Sequence, residues 1–175
     1  MEIDRTPAVL LAFCLLTSCH RGMPEVSTLT EEEATPPLAA EIRMADTRAS
    51  SQLISGWYAV EKDGWRWTAR KFSAVLRPPI GAPKSGAVLR FNFTLPEAVM
   101  AKLKTVTLGA LIGGTQLEPQ RYSRAEECIY ARDVPARLLS GHSVRIDFTL
   151  DKALPPGSDP REFGLIANCL RLEAR

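Results

Sequence analysis

Leu89-Arg90-Phe91-Asn92-Phe93-Thr94-Leu95 sets large apolar side chains at every second position, with Arg90, Asn92 and Thr94 between them. In extended backbone, successive side chains point to opposite faces, so this stretch reads as a strand with one face in a core. The same period places Val144, Ile146, Phe148 and Leu150 opposite Arg145, Asp147 and Thr149. It recurs in Val106, Leu108, Ala110 and Ile112, separated by Thr107, Gly109 and Leu111. Gly113-Gly114 follows directly, and two residues free to take positive φ predict a tight hairpin into a strand over 115–121.

Working outward, further strands are expected near 57–61, 65–70, 72–77, 126–132 and 163–172. Pro78-Pro79, Pro96, Pro119, Pro135 and Pro155-Pro156 fall between or at the ends of these runs, where a residue without an N–H does least harm to a sheet. Short helical turns fit 96–103 (PEAVMAKL) and 135–139 (PARLL). With 13 prolines and 11 glycines the chain is rich in turns, and no helix is long enough for parallel crossovers. The expected fold is all-β: an antiparallel, jelly-roll-like β-sandwich over 51–175.

The N-terminus has a different texture. Residues 8–16 (AVLLAFCLL) form an unbroken apolar run. As a helix it would reach only about 14 Å, roughly half a bilayer core, so it reads as the apolar region of a signal peptide. Glu2 and Asp4 beside Arg5 make an unusually acidic start for such a leader. Leu16-Thr17-Ser18-Cys19 resembles a bacterial lipobox: an aliphatic residue, two small residues and a cysteine. That resemblance implies cleavage after Ser18, a signal peptide over 1–18, and lipidation (palmitate-type acylation) of Cys19. Two or three acyl chains on one cysteine would hold the protein to a membrane durably. His20 stands where an Asp would retain such a protein in the inner membrane, so the implied location is the cell envelope at the outer membrane.

Residues 19–50 read as a flexible tether. They include Glu31-Glu32-Glu33, Pro36-Pro37 and few large apolar side chains, too little burial to offset ordering. Leu38 and Ile42 after Pro37 allow a short helix over 37–48. The 22 basic and 20 acidic residues of the whole chain lose Arg5, Glu2 and Asp4 with the leader. A net charge of about +3 remains, too mild to point to nucleic acid. Of four cysteines, Cys128 and Cys169 are left for the domain. A disulfide between them suits an oxidising compartment, while the alternative makes each a small core hydrophobe in its apolar run.

The catalytic inventory argues against an enzyme. His20 and His142 are the only histidines, and His142 sits in a turn-like Ser140-Gly141-His142-Ser143 with no nucleophile elbow beside it. Cys128, Cys169 and His142 lack metal-ligand spacing, so neither a metal nor a cofactor is expected. The aromatic cluster is more informative: Trp57, Tyr58, Trp65 and Trp67 lie within eleven residues and include all three tryptophans. Asp63-Gly64 predicts a hairpin turn between them. Trp65 and Trp67 share one face of a strand, Arg66 and Thr68 the other, with Trp57 on the partner strand. Three such rings on one face would make a platform for sugar rings; the alternative is that they plug the core. Asp159-Pro160 predicts a turn leading into the last strand.

Gly56-Trp57-Tyr58, Trp65-Arg66-Trp67-Thr68, Val134-Pro135-Ala136 and Asp159-Pro160-Arg161-Glu162-Phe163-Gly164, in that order, resemble a β-sandwich module of environmental bacteria. That module is found appended to glycosyltransferases and other surface-polysaccharide proteins. The resemblance covers roughly residues 55–173 and implies a carbohydrate-related role without catalytic residues to carry over. The expectation is therefore a non-catalytic lipoprotein binding glycan or polysaccharide through Trp57, Trp65 and Trp67. The alternative is a structural lipoprotein docking an envelope protein.

Overall fold

The computed structural model describes residues 37–175; the expected signal peptide and Cys19 lie outside them. Nine strands are present among the described residues: β1 (Glu41–Arg43), β2 (Leu53–Val60), β3 (Arg66–Leu76), β4 (Ala87–Thr94), β5 (Val106–Ile112), β6 (Thr115–Tyr122), β7 (Glu127–Val134), β8 (Val144–Leu150) and β9 (Ile166–Ala174). Two short α-helices, α1 (Ala82–Ser85) and α2 (Glu97–Leu103), and two 3₁₀ helices, Thr47–Gln52 and Ala136–Leu138, sit in connections. Every strand pairing is antiparallel.

The hydrogen-bonded order is β6-β5-β8-β3-β9-β4-β7, with β1 beside β9 and β2 beside β3. β3 is the hinge between the layers. Its residues 71–76 pair with β8, whereas Arg66 and Trp67 pair with β9. The two layers then face each other through aromatics: Phe91 on β4 lies 5.8 Å from Phe72 on β3 and 5.2 Å from Phe148 on β8, centroid to centroid. Leu89, Phe91 and Phe93 are almost wholly buried, as their alternation requires. This is an antiparallel β-sandwich.

One open side is stitched by tyrosines. The Tyr122 hydroxyl donates to the Ile129 carbonyl at 3.2 Å, and that of Tyr130 to the Glu118 carbonyl at 2.9 Å. Burial pushes both phenols above their ordinary pKa, because an anion there would lose its water.

The N-terminal boundary differs from the expected one. The expected helix over 37–48 is replaced by β1 and, from Thr47, by the start of a 3₁₀ helix, Thr47–Gln52, and the folded domain begins well before residue 51. β1 pairs with β9, Ile42 and Met44 are fully buried, and Ala39 accepts the Arg77 N–H. A three-residue strand needs only one inward side chain, so its alternation is too short to see in sequence.

Candidate functional site

β2 and β3 carry the tryptophans, and a bulge decides how they point. Ser55 stands opposite Ser73, but two residues later Trp57 stands opposite Thr68. That register shift turns Trp57 to the inner face, since a one-residue slip exchanges the faces of a strand. Gly56, at φ +74°, makes it feasible: a Cβ there would lie 2.0 Å from the Lys71 carbonyl oxygen. Trp57 packs edge-on to Phe72 at 4.9 Å, and its indole N–H donates to the Ser73 carbonyl at 2.7 Å.

The three-tryptophan platform is therefore not assembled. Trp57 belongs to the core edge, whereas Trp65 and Trp67 share the outer face. They meet edge to face, with centroids 5.9 Å apart and planes at 84°. Arg66 and Thr68 point the other way and are buried at 8% and 0% exposure. The Arg66 guanidinium donates to the Met44 and Tyr58 carbonyls and to the Ser50 hydroxyl, tying β1, β2 and β3 together. Burial lowers its pKa.

The outer face gains partners that sequence spacing did not bring to it. The segment after β8 folds back along β3: Thr68 donates its N–H to the Leu165 carbonyl, and Gly164 donates to the Thr68 carbonyl at 2.7 Å. Gly164 allows this approach, because a Cβ would lie 2.8 Å from the Thr68 hydroxyl and 2.9 Å from the Ala69 carbonyl. Phe163 thereby reaches Trp67, centroids 4.9 Å apart, and Tyr58 at 6.4 Å. Four half-buried rings, Tyr58, Trp65, Trp67 and Phe163, line one surface.

Arg161 braces it. The guanidinium lies 4.9 Å from the Phe163 ring and 5.5 Å from the Tyr58 ring. It is bidentate to Asp159 and also bonds Glu61 at 3.1 Å. Asp159 additionally accepts the Arg161 backbone N–H at 2.9 Å, the side-chain turn expected from Asp-Pro. The Arg161 bonds hold the Asp159 carboxyl below the usual carboxylate range. The Tyr58 hydroxyl accepts the Glu162 N–H, and Glu162 accepts the Arg70 N–H at 2.8 Å. On the far side of Phe163 lies a shallow cleft of about 380 Å³, lined by Lys102, Leu154, Pro155, Pro156, Ser158 and Asp159. Half-buried rings beside hydroxyl, ammonium and carboxylate groups suit a neutral polyhydroxylated ligand.

Cys128 and Cys169 are free thiols, which corrects the disulfide reading. β4 lies between their strands: Cys128 is opposite Phe93 and Cys169 opposite Asn92. Two strand spacings put their backbones about 9–10 Å apart, beyond the reach of a disulfide. They also face opposite sides, Cys128 inward with Phe93 and Cys169 outward with Asn92. Burial pushes the Cys128 thiol up to about 11 and raises that of Cys169. Among the described residues no group of three or more His, Cys, Asp or Glu is placed to hold a metal ion.

No protein-family model matches the chain, and no curated protein matches it in sequence. Solved structures of similar shape include a family GH115 4-O-methyl-α-glucuronidase, BtGH115A, with specificity for decorated arabinogalactans (TM-score 0.49, 10% identity). The match covers 81% of this chain and 18% of that one, so the chain spans under a fifth of the enzyme's length. A second is the CBM36-1 domain of a multidomain xylanase from the hindgut metagenome of Trinervitermes trinervoides (TM-score 0.44, 10% identity, 77% of this chain and 96% of that one). A third is the carbohydrate-binding module CBM36 in complex with calcium and xylotriose (TM-score 0.40, 8% identity, 76% and 98%).

Proposed function

We propose that this chain is a non-catalytic, lipid-tethered envelope protein whose sandwich binds polysaccharide on the face formed by Tyr58, Trp65, Trp67 and Phe163. The observation that carries the reading is the placement of these four rings. Aromatic side chains that only filled a core would point inward, as Trp57 and Phe72 do. These point outward, yet are held by Arg161 and by the strand-like pairing of 163–165 with β3. A rigid aromatic surface loses little conformational entropy on binding, which favours stacking against the apolar faces of sugar rings. The perpendicular Trp65–Trp67 pair makes a corner instead of a flat shelf, which fits a twisted or branched chain better than a flat crystalline one.

A glycan array probed with the chain from residue 19 onward tests the binding. Signal on a defined polysaccharide class supports it, and silence on all classes counts against it. The tether is tested separately: Cys19→Ser should move the protein from the detergent phase to the soluble fraction, or leave it unprocessed. Unchanged detergent partitioning would overturn the lipoprotein reading.

A further inference from the structure

The end of the sandwich where β3, β5, β7 and β9 finish presents an isoleucine to solvent. Ile80, in Arg77-Pro78-Pro79-Ile80-Gly81, is 101% exposed. The backbone that carries it is braced. Pro78, Pro79 and Pro83 restrict the backbone, Ala82 N–H donates to Pro79, and Lys84, Ser85 and Gly86 close α1 with further backbone bonds. Ala82 is fully buried and anchors the loop from beneath. α1 packs on the short turn Ala136–Leu138 from the β7–β8 connection.

Arg77, Lys84 and Arg137 are exposed in segments 77–86 and 135–143, which contain no Asp or Glu. The acidic residues that end the neighbouring strands are already paired, Asp133 with Arg175 and Glu173 with Arg90 and Arg171. The chain also enters the domain here: the Ala39 carbonyl accepts the Arg77 N–H, and the Ala40 carbonyl accepts that of Leu172. Ala39 and Ala40 therefore lie beside the strand ends that carry the Ile80 loop.

We infer that this end docks on an anionic lipid surface, with Ile80 entering the headgroup region and Arg77, Lys84 and Arg137 facing lipid phosphates. The inference rests on the tether reading: a lipid on Cys19 would hold the domain near a membrane. An apolar side chain already held clear of the core needs no rearrangement of the fold to insert, and each cation near an anionic surface contributes about fivefold in affinity. Docking would turn the opposite half of the sandwich toward the exterior and limit its tumbling.

The test uses the chain from residue 19 onward carrying Cys19→Ser, so no acyl chain contributes; every described sheet pairing and core contact lies within 37–175 and is retained. It is floated with vesicles of phosphatidylcholine alone or of equal parts phosphatidylcholine and phosphatidylglycerol. The expected result is flotation with the anionic vesicles, lost at high salt. Ile80→Asp should weaken it at least about tenfold, and the double variant Lys84→Glu, Arg137→Glu about as much or more, with unchanged thermal melts. No flotation, flotation indifferent to both variants, or Ile80-dependent self-association without vesicle binding would overturn the inference. Because the acyl chain is absent, such a failure leaves the Cys19 experiment to be judged alone.

Discussion

At the scale of single residues, the three tryptophans have separate roles despite their shared stretch of sequence. Trp57 makes a core contact and a hydrogen bond, so Trp57→Ala should destabilise by about 3 kcal/mol in a urea melt. Loss of less than about 1 kcal/mol would place it outside the core. The sequence showed that Trp65 and Trp67 share a face and that Arg66 and Thr68 share the other. It could not show that Trp57 turns inward, because a bulge depends on which residue of β3 stands opposite it. The cysteines behave likewise: apolar alternation placed both on strands, but only the strand order puts β4 between them. Mass measurement after alkylation without reduction should find two modified thiols in the unfolded chain from residue 19 onward carrying Cys19→Ser. In folded protein Cys128 should react slowly at pH 8, since burial keeps it protonated. A mass two hydrogens short in unreduced, unfolded protein would restore the disulfide.

At the scale of elements, the legible parts were those with their own periodicity or turn chemistry. β4, β5 and β8 alternate over seven or eight residues, and Gly113-Gly114, at φ 54° and 78°, closes the β5–β6 hairpin as expected. α2 follows Pro96 where a helical turn fits. The expected break near residue 71 is absent: β3 runs unbroken from Arg66 to Leu76 and serves both layers. Its role depends on tertiary pairing with β8 and β9, which no local pattern reports. The β2 bulge and the 151–165 segment are the elements that assemble the outer aromatic face. Gly56→Ala should therefore cost about 2–4 kcal/mol, combining a positive φ with a collision against backbone. It should also shift tryptophan emission as Trp57 leaves its packing. A near-neutral melt would show that β2 pairs with β3 differently.

At the scale of the whole molecule, the aromatic face proposed to bind glycan is bracketed by ion pairs that set its pH range. Asp159 titrates lower when folded than when unfolded, because Arg161 bonds its charged form. Its bracing is therefore complete above the unfolded pKa, near 3.8, and is lost as pH falls through the lower folded value. Glycan binding and Trp67 emission should be flat across neutral pH and change only in strong acid, and Asp159→Asn should remove that acid transition. A transition near pH 6 would implicate another group.

The central claim is that the outward rings bind polysaccharide. The most direct test measures Trp65→Ala in one preparation for both binding and stability, by affinity electrophoresis in soluble linear and branched polysaccharides beside a urea melt. A half-exposed ring at the edge of the cluster has fewer contacts to lose than a core tryptophan. The expected result is binding by the parent, loss of at least about tenfold in the variant, and a stability change within about 1 kcal/mol. Undiminished binding by Trp65→Ala, or a stability loss of about 3–5 kcal/mol with no parent binding to any polysaccharide, would contradict it and return the rings to the core.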